Sequence, residues 1–205
     1  GIPVKNTNLL ISGPGTGLGV CTITKFNNHV FPIEGEGGNA NFSPQNKIEI
    51  GLLEFLLKEN NYVSFEDVVS GRGLQNIYKF KSFKNKQNIQ NLDASKIGQL
   101  ALKNDFIAKE SVKLMFSILG TAISNYILIN GCQMGVIITG GIINKLHTLL
   151  DQSDFFHNLK NKGNYENYLN NVPIFYCRDE NNALKGAAKS FNNKYFAKFR
   201  TIYNI

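Results

Sequence analysis

A glycine stands at every second position in the stretch ISGPGTGLGV, residues 11–20, between two apolar runs. The four glycines are Gly13, Gly15, Gly17 and Gly19. Glycine at this density loses much conformational entropy on folding, so the chain must need a backbone without side chains here. The residues that follow, VCTITKF, are rich in β-branched side chains and favour a strand. The stretch therefore predicts an antiparallel hairpin whose two strands are joined by a glycine turn.

Spacing excludes two common phosphate-binding loops at this turn. A Walker A loop needs Gly-Lys-Ser/Thr after its four-residue spacer, but the fifth position after Gly13 is Leu18 and no lysine follows. A GxGxxG dinucleotide fingerprint fails because its third glycine would fall at Leu18 or Val20. Two interpretations stay open from the glycines alone. The tip either receives phosphate oxygens on its backbone N–H groups and the Thr16 hydroxyl, or it is a tight hairpin that binds nothing.

The composition is that of a soluble globular domain, with 205 residues, 42% of them hydrophobic and 18% charged. The net charge of +7 comes from scattered lysines, and we interpret the one basic cluster, residues 78–86, as a solvated face, so no nucleic-acid partner is expected. Three separated cysteines indicate free thiols in a reducing compartment, and neither they nor the three histidines have metal-ligand spacing. Polar residues interrupt the longest apolar stretch, so we expect no membrane span and a cytoplasmic protein.

Helical and strand-like patterns alternate along the rest of the chain. The Ser-Pro pair at residues 43–44 signals a helix start. Ser64 and Asp67 resemble a capping box that opens a short helix ending at Gly71, and another helix is expected from about Leu74. Further predicted elements are helices over residues 94–103 and 106–129, a strand GVIITGG, a helix IINKLHTLL, a strand NVPIFYC and a final helix ALKGAAKSFNNKYF. This alternation indicates an α/β or α+β fold whose sheet is led by an antiparallel hairpin.

Four stretches, in order along the chain, resemble motifs of the bacterial glucokinase family, a branch of the hexokinase and actin superfamily. GPGTGLGV at residues 13–20 resembles the second phosphate motif, and EGEGGNANF at 34–42 resembles the sugar loop, usually EGGHxDF. VSFEDVVSGRGLQNIY at 63–78 is similar to the pattern VSxExxxSGxGLxNLY, and GVIITGGI at 135–142 to the adenosine motif. FFHNLKNKGNYENYLNNVPIFYC and LKGAA look like the family's closing segments, so the resemblance covers nearly the whole chain.

This resemblance implies an α/β domain of the ribonuclease H-like, actin/hexokinase type, with a mixed sheet flanked by helices. It also implies that the intact protein phosphorylates glucose with ATP and Mg²⁺, commonly as a homodimer. Glu36, Asn39 and Glu66 are the implied sugar ligands, although the residues alone also allow Glu66 to be an ordinary first-turn glutamate beside a helix dipole. The implied nucleotide contacts are Gly15, Thr16, Gly17, Gly140 and Gly141.

The chain departs from the family pattern in two ways. It has neither the DxGGTxxR loop nor the Asn-Asp pair that carries the catalytic base, so residues 1–205 are expected to be the large domain without its N-terminal small domain. No catalytic residue is assigned to this chain, which we expect to be inactive alone. The sugar loop has Asn39 where the family usually has His, and Asn41 where it usually has Asp. The alternative is a non-catalytic sugar- or nucleotide-binding module or regulator derived from a sugar kinase.

Overall fold

A mixed β-sheet forms the centre of the fold in a computed structural model that describes residues 1–26, 29–179 and 181–190. Its five strands lie in the order β3-β2-β1-β4-β5. They are β1 (Leu9–Pro14), β2 (Leu18–Phe26), β3 (His29–Gly35), β4 (Gly135–Ile138) and β5 (Ile174–Tyr176). The first three strands are antiparallel, whereas β4 pairs in parallel with both β1 and β5. The predicted mixed sheet led by an antiparallel hairpin is confirmed.

Helices follow the hairpin strands and separate β3, β4 and β5 along the chain. The α-helices of the described residues are α1 (Lys47–Leu56), α2 (Gly71–Lys84), α3 (Ala94–Leu102), α4 (Phe106–Asn130), α5 (Gly141–Leu146), α6 (Phe155–Lys160), α7 (Glu166–Asn170) and α8 (Asn182–Ser190). The closing helix was expected to run to residue 196, and its part beyond residue 190 lies outside the described residues.

The long helix α4 is the core of the helical layer, and it packs against α2, α3 and α6. Asp105 caps its first turn by accepting the N–H of Ala108 at 2.9 Å, and Gly131 ends it in the left-handed conformation at φ +63°. Within the described part of the chain, α4 is the one helix long and apolar enough to cross a membrane. However, 78% of its most apolar window is buried inside the fold, as in the core helix of a globular domain.

The start of α1 differs from the prediction, because the helix begins at Lys47 rather than near residue 44. Asn46 is the N-cap, and its side-chain oxygen accepts the N–H groups of Ile48 and Glu49, each at 3.0 Å. The fully buried Glu49 carboxylate accepts in return from the backbone of Gln45 and the side chain of Asn46. This reciprocal network outcompetes the Ser-Pro signal as the helix start.

The short helix predicted before Gly71 is wrong, since residues 64–70 form turns and α2 begins at Gly71 itself. The expected contacts between Ser64 and Asp67 do exist, as the Asp67 carboxylate accepts from both the backbone and the hydroxyl of Ser64. The turn is interrupted because the Ser70 hydroxyl, rather than a backbone N–H, donates to the carbonyl of Glu66 at 2.7 Å. Ser70 is extended and becomes the N-cap of α2.

Candidate functional site

The glycine turn, residues 15–17, lies against the start of α2. Within the turn, the N–H of Gly15 donates to the carbonyl of Gly17 at 2.8 Å, so this donor is already used. The N–H of Gly71 donates to the carbonyl of Gly15 at 2.9 Å and fixes the turn against α2. Thr16 remains exposed at the tip. The turn is therefore closed by its own hydrogen bond and fixed to α2, with Thr16 exposed at its tip.

A cavity of about 700 Å³ opens beside this turn. Gly15 and Thr16 contribute to its wall together with Gly141 at the start of α5. Much of the remaining wall is apolar or small and comes from α2, α3 and α5, including Leu74, Ala94, Gly98, Leu102, Ile142 and Leu146. This volume is within the range of roughly 300–1,000 Å³ typical of small-molecule sites. An apolar wall with a glycine turn at its margin suits a ligand that has a flat apolar part and an anionic part.

Three of the five residues predicted to contact the nucleotide line this cavity, whereas Gly17 and Gly140 are not part of its wall. Gly140 has φ +116°, and a Cβ there would lie 2.5 Å from the carbonyl oxygen of Pro14. Only glycine lets the end of β4 approach the hairpin this closely. A Cβ on Gly17 would collide with the carboxylate of Glu66. The absence of a side chain at Gly17 thus leaves space for the carboxylate of Glu66, a residue predicted to bind the sugar.

The predicted sugar loop is paired by its backbone with the segment that contains Glu66. The N–H of Phe42 donates to Val63 at 2.8 Å, and the N–H of Phe65 donates to Ala40 at 2.9 Å. The N–H of Glu66 then donates to the carbonyl of Gly38 at 2.8 Å. Two motifs that are separate in the sequence are therefore joined by three backbone hydrogen bonds.

Tyr126 of α4 contacts the predicted sugar loop. Its phenol donates to the carbonyl of Gly37 at 2.8 Å, and the side chain is buried. Burial raises the pKa of the Tyr126 phenol, which keeps it protonated as a hydrogen-bond donor. The core helix thus holds the loop at Gly37 through a buried hydrogen bond.

The carboxylate of Glu66 connects the sugar loop to the glycine turn. Its Oε2 accepts the N–H of Leu18 at 2.9 Å, and its Oε1 lies 3.5 Å from the guanidinium of Arg72. Glu66 stands five positions before the first residue of α2, so it is not a first-turn helix residue. The Glu66 side chain is about one-quarter exposed.

Glu36 and Asn39 are exposed at the two ends of a 3-10 turn, Gly37–Asn39. The N–H of Asn39 donates to the carbonyl of Glu36 at 2.9 Å, whereas the Glu36 side chain does not cap the turn. Among the described residues neither side chain has a hydrogen bond or ion pair, so both remain available to a ligand. Asn41, which replaces the usual Asp, forms an isolated bridge with Ser64.

Three residues that take part in the site's contacts were not assigned to it by the sequence analysis. These residues are Arg72, Leu18 and Tyr126. Along the chain, Leu18 is 48 residues from its partner Glu66, and Tyr126 is 89 residues from its partner Gly37. The position of Arg72 inside the SGRGL stretch, directly after a predicted ligand segment, is the signal that could have drawn attention to it.

Within the described residues, no three His, Cys, Asp or Glu side chains are grouped as a metal site. A Mg²⁺ ion that accompanies a nucleotide needs no such group, because it keeps several waters and is held largely by phosphate oxygens.

The sheet order, the nucleotide-sized cavity beside the glycine turn and the adjoining carboxylate loop define a domain of the sugar-kinase class. The solved glucokinase from an Antarctic psychrotroph superposes with a TM-score of 0.85 at 30% identity, covering 92% of this chain and 59% of that one. The glucokinase from Balamuthia mandrillaris in complex with glucose shares the fold with a TM-score of 0.75 at 22% identity, over 84% of this chain and 50% of that one.

The chain belongs to the glucokinase family, because the Glucokinase family model matches residues 1–194. The glucokinase of Hahella chejuensis is 32% identical over 186 residues, which are 90% of this chain and 58% of that protein. The family resemblance and the fold class expected from the sequence are confirmed. The chain spans little more than half the length of these relatives.

Proposed function

We propose that this chain is the large domain of a glucokinase and that it acts with a small domain preceding it in the intact protein. The reaction is transfer of the γ-phosphoryl group of ATP to the primary hydroxyl of glucose. The observation that carries the proposal is the position of Glu66. Its backbone is bonded to the sugar loop at Gly38, and its carboxylate is bonded to the glycine turn at Leu18.

The site residues divide into two groups in this proposal. Glu36, Asn39 and Glu66 bind glucose, because a neutral polyol offers no charge and is held best by acceptors for its hydroxyl groups. Gly15, Thr16 and Gly17 surround the phosphates, while Gly140 and Gly141 lie against the adenosine. The cavity lined by Gly15, Thr16 and Gly141 supports this nucleotide assignment.

Phosphoryl transfer depends mainly on positioning and charge stabilisation. The hydroxyl oxygen of glucose forms the new P–O bond, the bond to ADP breaks, and the hydroxyl proton passes to an aspartate of the small domain. A Mg²⁺ ion bound with ATP would be held largely by the phosphate oxygens and would supply positive charge there. We further propose a cytoplasmic location and a homodimeric assembly, which are expectations from the family.

Replacing the sugar carboxylates by amides in the full-length protein tests this proposal. Glu36→Gln and Glu66→Gln keep side-chain size but exchange an acceptor for a donor, so a sugar hydroxyl meets the wrong partner. Glucose affinity should fall about tenfold to a thousandfold, or about 1.4–4 kcal/mol, with ATP affinity nearly unchanged. Glucose titrations are compared with those of Glu54→Gln, which removes an exposed carboxylate on α1. Unchanged glucose affinity with a lowered melting temperature would mean that the two carboxylates are structural.

A further inference from the structure

Arg72 lies at the second position of α2, between two carboxylates of the preceding turn. Its Nη2 is 2.9 Å from Oδ1 of Asp67 and 3.5 Å from Oε1 of Glu66. The arginine side chain is 60% exposed, while each acidic side chain is about one-quarter exposed. A planar guanidinium with several donors can contact both acids at once, which a lysine ammonium does less well.

Asp67 is the fixed partner of this pair. Its Oδ2 accepts the N–H of Ser64 at 3.0 Å and the hydroxyl of Ser64 at 2.8 Å. Its carbonyl accepts from the side chain of Asn76, which ties the turn to α2. Ser64 itself is buried. Arg72 is therefore attached to a rigid acid and reaches from it to Glu66.

Glu66 makes further contacts outside its ion pair with Arg72. Its carboxylate also accepts the N–H of Leu18, next to the glycine turn, while its backbone bonds the sugar loop at Gly38. Without Arg72, the only remaining bond of this carboxylate within the described residues is the one to Leu18. A single hydrogen bond would leave the carboxylate free to rotate about its contact with Leu18.

We propose that Arg72 is a positioning residue that holds the Glu66 carboxylate between the glycine turn and the sugar loop, so that one oxygen stays on Leu18 while the group faces glucose. This inference rests on the proposed function for the identity of the sugar. Exposed ion pairs contribute little to stability, so the effect of Arg72 is on the placement of Glu66 rather than on the fold.

The test uses two readouts, one of which is independent of catalysis. In the 205-residue chain, amide hydrogen exchange at Leu18 reports whether Glu66 still accepts this N–H. Arg72→Met should accelerate that exchange about threefold to tenfold, and Arg72→Lys should do so less. Arg178→Met, which removes an exposed arginine that lies over Tyr176, is the matched control and should leave Leu18 unchanged.

The second readout is steady-state kinetics of the full-length protein. Arg72→Met should raise the KM for glucose about threefold to tenfold, with kcat and the KM for ATP nearly unchanged and with partial recovery in Arg72→Lys. Unchanged Leu18 exchange overturns the inference, whether or not the KM for glucose changes, because Arg72 would then not act through Glu66. Faster exchange with an unchanged glucose KM in an active enzyme overturns it as well. Faster Leu18 exchange in the Arg72→Met chain, together with a wild-type full-length protein that does not phosphorylate glucose, supports the positioning role and refutes the proposed function instead.

Discussion

At the scale of single residues, the site depends on the absence of a side chain at Gly17. A Cβ at this position would collide with Oε2 of Glu66 and lie 2.9 Å from its Cδ, which are atoms at the far end of a flexible side chain. The fold can therefore accept a methyl group here, but only by displacing the carboxylate from Leu18. Gly19, two positions on, has open space where its Cβ would be.

We accordingly predict that Gly17→Ala weakens glucose binding and that Gly19→Ala does not. In the full-length protein, Gly17→Ala should lower glucose affinity about threefold to tenfold and cost about 0.5–1.5 kcal/mol of stability, the contribution of the lost hydrogen bond. Isothermal titration with glucose and urea unfolding provide the two measurements. Equal glucose affinities for the two variants would show that Gly17 does not govern the position of Glu66.

At the scale of elements, the crossing of α4 and α6 depends on another glycine. A Cβ on Gly120 would collide with the carbonyl oxygen of Phe155 and lie 3.1 Å from its carbonyl carbon. Both are backbone atoms of α6, so they cannot move aside as a flexible side chain can. By contrast, a Cβ on Gly51 of α1 would lie 3.6 Å from the ring of Phe80, an ordinary packing distance.

These two glycines make a matched pair of stability predictions. Both substitutions by alanine gain helix propensity, and at Gly51 this should stabilise the chain by up to about 1 kcal/mol. At Gly120 the overpacking of the crossing should exceed that gain and destabilise the chain by about 1–3 kcal/mol. Urea unfolding followed by circular dichroism gives both values. A Gly120→Ala chain as stable as wild type would mean that α6 moves freely relative to α4.

The elements also show which features were predictable from the sequence and why. The hairpin was predictable, because alternating glycines and a β-branched run are signals contained within about 15 residues. The start of α1 was not predictable, since both the Ser-Pro pair and Asn46 can cap a helix, and the buried Glu49 decides between them. The family motifs indicated Glu36 and Glu66, but the bond from Glu66 to Leu18 spans 48 residues and has no local pattern. Long-range pairing of this kind is decided by the tertiary fold.

At the scale of the whole molecule, the chain brings a nucleotide-sized cavity and a carboxylate loop together on one α/β domain. The glycine turn belongs to both, since Gly15 lines the cavity and Leu18 donates to Glu66. In the proposed function, the base that takes the proton from the sugar hydroxyl belongs to the small domain, because none of the sequence motifs of this chain carries it. Binding and catalysis are therefore expected to separate when the chain is studied alone.

The isolated 205-residue chain should accordingly bind ligands without efficient turnover. Its core, built around α4, lies within the chain, so we expect a single cooperative unfolding transition that ATP shifts to higher temperature.

General-base catalysis contributes typically about 10²–10⁴ in rate, so turnover by the isolated chain should fall at least about a hundredfold below that of the full-length protein. A coupled assay for glucose 6-phosphate, run on both proteins at saturating glucose and ATP, measures this difference. Full-length kinases of this kind turn over about 1–100 times per second. A comparable rate from the isolated chain would place the base within these residues and would contradict the division of labour between the two domains.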